Sequence, residues 1–74
     1  MTNEDLKLLE EYQSHPWVEQ FKCERNASHN TPVPQLYGLV LIVFCSDCGS
    51  IKNIDKTLIT LVRQRLARIY RDIF

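Results

Sequence analysis

The chain has 74 residues, and nine Lys and Arg against nine Asp and Glu give a formal net charge of zero. A domain this small buries only about 60% of the surface its unfolded chain exposes, which leaves no room for a second domain or a deep cofactor cleft. Such a chain calls for a staple: a metal, disulfides or a partner chain. With 45% hydrophobic and 24% charged residues, the composition is that of a folded chain rather than a disordered one.

Met1 to Glu11 is acidic and helical in pattern and has neither the basic nor the apolar region of a signal peptide. The most apolar run, Leu36 to Phe44, has nine residues, about half of what a bilayer crossing requires. The expectation is a soluble, cytoplasmic chain forming one domain over residues 1–74, with no membrane contact.

Taken in order, residues 3–13 read as a short helix, with Leu6, Leu9 and Tyr12 at spacings of three. Thr2 or Asn3 can cap it, Glu4 and Asp5 suit its positive end, and His15-Pro16 ends it. Trp17 to Lys22 alternates with a period of two and predicts a strand. Cys23 to Gln35, rich in Asn, Ser and Thr with prolines at 32 and 34, predicts a loop. Leu36 to Phe44 then predicts one buried strand, with Gly38 as a bulge or a close backbone approach.

Cys45 to Gly49 predicts a tight turn, and Ser50 to Ile54 a short returning strand. Asp55 can cap a final amphipathic helix over residues 55–73. Leu58, Ile59, Leu61, Val62, Leu66, Ile69, Tyr70 and Ile73 fall on one broad face of it. Residues 1–24 hold six acids and two lysines, residues 52–74 six bases and two acids. The two helices are therefore expected to attract each other, within one chain or between two copies.

Three cysteines cannot close a disulfide framework, and in a reducing compartment clustered thiols favour a metal. In Cys45-Ser46-Asp47-Cys48-Gly49 a tight turn brings two thiolates to one side. The glycine admits a positive φ that aims backbone N–H groups at the sulfurs. Cys23 and His29 complete the pattern Cys-x5-His-x15-Cys-x2-Cys, and three thiolates with one imidazole form a closed structural zinc set. His15 competes for the fourth place; His29 is preferred because its loop is free to fold toward the turn.

The CxxCG turn and its order among strands and loops resemble the zinc-ribbon group over residues 17–54. That resemblance implies a small three-stranded antiparallel sheet with structural Zn2+ at one end, held by Cys23, His29, Cys45 and Cys48. The expected fold is thus α+β, this sheet flanked by a short N-terminal helix and a longer C-terminal one. Trp17, Phe21, Leu39, Leu41 and Val43 are expected to supply the core.

Enzymatic function is not expected. Too little chain follows Cys48 for a thioredoxin-like fold, and Asp47 between the thiols would raise their pKa. Three thiolates make zinc-bound water a poor acid, even with Asp47 or Glu24 close in sequence. No His-Glu-x-x-His and no phosphate-cradling glycine loop is present, and a small-molecule substrate is not expected. The expected function is an adaptor or regulator that binds a protein partner, or a second copy, through its helical surface. The alternative is a nucleic-acid-binding zinc ribbon using Arg63, Arg65, Arg68 and Arg71, which the zero net charge disfavours.

Overall fold

A computed structural model describes residues 1–73, leaving aside the side chains of residues 72 and 73. It has two helices and a three-stranded antiparallel sheet: α1 (Asn3–Ser14), β1 (Val33–Tyr37), β2 (Val40–Phe44), β3 (Ile51–Asn53) and α2 (Lys56–Ile73). The α+β class and both helices follow the sequence expectation. The central strand is β2, paired with β1 through Leu36↔Leu41 and with β3 through Val43↔Lys52.

Local chemistry explains the helix starts. Thr2 caps α1, its hydroxyl accepting from the Asp5 N–H while the Asp5 carboxylate accepts from the Thr2 N–H. Asp55 caps α2, its Oδ1 accepting from Leu58 N at 2.9 Å.

Two strand expectations are corrected. Trp17 to Lys22 forms no strand; it runs irregularly beside α1. Helix side chains satisfy its backbone instead of a neighbouring strand. Gln13 accepts from Phe21 N at 2.8 Å and donates to Phe21 O at 3.0 Å, and the Tyr12 hydroxyl donates to Glu19 O at 2.7 Å. The sheet accordingly lies within residues 33–53 rather than spanning 17–54.

The apolar run from Leu36 to Phe44 is not one strand either. Gly38, at φ 60, and Leu39 turn the chain, so the run splits between two strands of a hairpin. Gly38 is therefore a turn residue and not a bulge.

The core lies between the helices and one face of the sheet. Leu9 and Tyr12 of α1 meet Leu41 and Val43 of β2, together with Ile54 and the α2 residues Ile59, Val62 and Leu66. Leu36 and Phe21 pack against this cluster, half-buried. Leu41 and Val43 match the expected core, but Trp17 is 66% exposed and Leu39 80%. Trp17 left the core with the strand that was to carry it, and Leu39 sits on the hairpin turn.

The α2 stripe is thus largely used up within the fold, although Tyr70 stays exposed. The Ile73 side chain, expected on the same stripe, lies outside the described residues. The expected attraction between helices operates within the chain. Arg63 pairs with Asp5 at 3.3 Å, Arg65 Nη1 donates to the Tyr12 hydroxyl at 2.6 Å, and the Tyr70 hydroxyl donates to Glu11.

Candidate metal centre

Two loops meet at one end of the sheet, and each is shaped by its own hydrogen bonds. Cys45 directly follows β2. Its N–H donates to Ser50 O and its carbonyl accepts from Gly49 N, both at 2.8 Å. Gly49, at φ 79, takes the left-handed conformation that closes the turn. In the other loop, the Asn26 side chain accepts from Ser28 N and Oγ, and His29 N donates to Asn26 O at 3.1 Å. This turn folds His29 back toward Cys23.

The loops are latched to each other. Asp47 accepts from Asn30 N at 2.7 Å and from Asn30 Nδ2 at 3.4 Å. Lys52 pairs with Glu24 at 3.1 Å. Asp47 and Glu24, the carboxylates nearest the cysteines in sequence, are therefore occupied in holding the loops together.

The result is a cluster of four donors. Cys23, His29, Cys45 and Cys48 place one ligand atom each within 4.8 Å of all the others. Cys23 Sγ lies 3.4 Å from Cys48 Sγ, and His29 Nδ1 lies 3.6 Å from Cys45 Sγ. A tetrahedral site with zinc–sulfur bonds of about 2.3 Å and a zinc–nitrogen bond of about 2.0 Å sets S···S at about 3.8 Å and S···N at about 3.5 Å. Those two separations lie within about 0.4 Å of the tetrahedral values, and the four atoms together could hold a metal ion. All three cysteines are free thiols, Cys23 and Cys45 buried and Cys48 half-buried.

Electrostatics inside the cluster favour a cation. Burial raises the Cys23 pKa, but N–H groups of Asn26 and Arg25, with His29 and Cys48 beside it, outweigh that and lower it to about 6. The Ser50 hydroxyl and N–H lower Cys48, whereas burial holds Cys45 above the usual thiol range. Hydrogen bonding to the Cys23 and Cys48 sulfurs raises His29. The sulfurs thus stabilise a positive charge among them, whether a proton on His29 or a metal cation.

His15 lies elsewhere. Its Nδ1 accepts from Trp17 N at 3.1 Å, and its ring stands edge-on to Trp17 and Tyr70. Of the two histidines, the fold brings His29 to the cysteines. Of the four arginines, Arg63, Arg68 and Arg71 are exposed, Arg63 pairing with Asp5, while half-buried Arg65 donates to the Tyr12 hydroxyl.

Three residues that support the centre were not recognisable in the sequence. Ser50 places its Oγ 3.0 Å from Cys48 Sγ, Asn30 receives the Asp47 latch, and buried Gln13 donates to Pro32 O at 2.9 Å behind the His29 loop. All are common polar residues whose roles depend on contacts distant in the chain. Only Ser50, two residues after Cys48, was close enough to a motif to draw notice.

No protein-family model, curated protein or solved structure matches this chain. Among the described residues no helix is long and apolar enough to cross a membrane. The molecule is an α+β chain whose Cys3His cluster can hold a metal ion.

Proposed function

We propose that the chain is a zinc-stapled, non-enzymatic module that acts by presenting its surface to a protein partner. The observation that carries the reading is the convergence of three thiols and one imidazole from two loops onto a single point. Soft thiolates with one imidazole in a tetrahedron are the donor set of structural Zn2+. The β2–CxxCG–β3 hairpin supports kinship with zinc ribbons. Cys23 and His29, in contrast, lie in a loop ahead of the sheet and not in a second knuckle.

A structural role is supported by what surrounds the donors. The cavity beside Cys23 and Cys45 is about 10 Å³, the space of a single water and far below that of an organic substrate. The neighbouring carboxylates are tied up in the interloop latch. A protein partner is favoured over nucleic acid because Arg63 and Arg65 are engaged within the chain.

The native mass of the purified protein, with and without a chelator, tests the zinc. One zinc per chain is expected, lost together with the compact charge-state distribution. A compact, metal-free species would overturn the reading. For the nucleic-acid alternative, affinity must fall steeply with salt and with Arg68→Glu.

A further inference from the structure

Both helices cover the same face of the sheet, and the other face is bare. Alternation along the strands puts Val33, Tyr37, Val40, Ile42, Phe44 and Ile51 on that open side. At its centre Ile42 is 5% exposed, while Val33, Tyr37, Val40 and Ile51 around it are 49–62% exposed. Gln35 and Asn53 complete the face, so it bears no charged residue.

We propose that this face packs against the same face of a second copy, two sheets stacked as a sandwich about a two-fold axis. The inference rests on reading the chain as an interaction module and names its partner. Three observations select a second copy.

The first is area. With Leu39 on the adjoining turn, the bare apolar side chains expose on the order of 600 Å². Two such faces could bury at most about 1,200 Å² together, at the lower bound of a specific protein interface.

The second is charge. In a two-fold contact only the residues beside the axis meet their own counterparts, so a charge there would meet a like charge and one further out would lose its water without a partner. An uncharged face avoids that repulsion, and the zero net charge of the chain adds no long-range barrier between copies.

The third is the state of the sheet edges. β1 carries Pro34, which has no N–H to give, and β3 is three residues long. Edge-to-edge pairing is therefore weak, and stacking of faces, about 10 Å apart, is the route that remains. The row Val33–Phe44–Ile51 adjoins the metal loops, since Cys45 follows Phe44 and Cys48 precedes Ile51. The centre thereby holds the register of the contact.

The test is sedimentation and native mass of the purified full chain, with zinc content measured on the same samples from micromolar to near-millimolar concentration. The expected result is a species of twice the 8.7 kDa protomer mass. Val40→Lys and Ile51→Lys, each at an exposed position, are expected to weaken the dimer at least about tenfold by burying an unpaired charge in an apolar contact. Circular dichroism should show both variants folded. Thr60→Lys, on the exposed side of α2, should leave the dimer unchanged.

A chain that stays monomeric throughout, or a dimer that survives both sheet substitutions, would overturn the proposal. So would a monomer that uses this face for a different protein. A monomer carrying one zinc would sink the pairing and spare the metal reading; a dimer without zinc would do the reverse.

Discussion

Cys23 and Cys48 are 25 residues apart in sequence, and their Sγ atoms lie 3.4 Å apart as free thiols. A disulfide would bring them to about 2.05 Å; the observed separation instead suits two sulfurs sharing one ion. Between them the chain makes a loop, a strand, a hairpin turn and a second strand. Closing that path is entropically costly, and a metal held at both ends would offset the cost.

Substituting a ligand should therefore act on folding before anything else. Cys45 is 1% exposed at the base of the turn, and Cys45→Ser is expected to abolish zinc binding and cooperative unfolding together. Structural zinc in small peptides contributes about 10–16 kcal/mol of apparent binding energy, more than a domain of this size has in reserve. Circular dichroism with zinc analysis reads both. A folded, metal-free Cys45→Ser protein would count against a structural metal.

The two histidines should separate cleanly. His29→Cys supplies a fourth thiolate and is expected to keep one zinc per chain, whereas His29→Ala should lower zinc affinity by at least about tenfold. His15→Ala removes a ring that stands edge-on to Trp17 and Tyr70 and accepts from Trp17 N, and should leave zinc affinity unchanged. Competition with a chromogenic chelator measures all three, and a zinc-binding loss in His15→Ala would reverse the ligand assignment.

Gln13 predicts an effect at a distance. Its side chain ties α1 to Phe21 and to Pro32, on either side of the Cys23–His29 loop. Gln13→Ala leaves buried backbone groups without partners, at about 1–3 kcal/mol each. It should both destabilise the fold and weaken zinc binding, although Gln13 contacts no ligand. Equal zinc affinity in the variant would show that the loop holds its shape unaided.

Tyr12 offers a test of the helix pair. It is fully buried, donates to Glu19 O at 2.7 Å and accepts from Arg65 at 2.6 Å. Tyr12→Phe keeps the ring and removes both bonds, an expected loss of about 1–3 kcal/mol. In a domain this small each kcal/mol corresponds to about 4–8 °C in Tm. Thermal unfolding of the zinc-bound form should fall by that amount; an unchanged Tm would mean that Glu19 and Arg65 find other partners.

Acid should release the metal. Zinc held by three thiolates and a neutral imidazole would leave with proton uptake at the ligands. Affinity therefore rises with pH and falls as the pH is lowered, steeply because several ligands protonate together. Zinc release followed against pH, with circular dichroism in parallel, should show metal and fold lost in one transition. Metal leaving a chain that stays folded would separate the two.

What the sequence determined by itself is what neighbouring residues decide. The α1 cap resides in Thr2 and Asp5, the α2 start in Asp55, and both helical periods are read within a few turns. The CxxCG turn is equally local, which is why Cys45 and Cys48 were legible as a ligand pair. The remainder depended on contacts across the chain. The alternation from Trp17 to Lys22 is that of a strand, but a strand needs a neighbour, and Gln13 and Tyr12 took its backbone bonds instead. The run from Leu36 to Phe44 reads alike as one buried strand or two halves of a hairpin, and the φ of Gly38 separates them. Only the tertiary structure brought His29 rather than His15 to the cysteines, and only the placement of both helices on one side left the opposite sheet face open. Local propensities are set by adjacent side chains; ligand choice and exposed faces are set by which distant surfaces find each other.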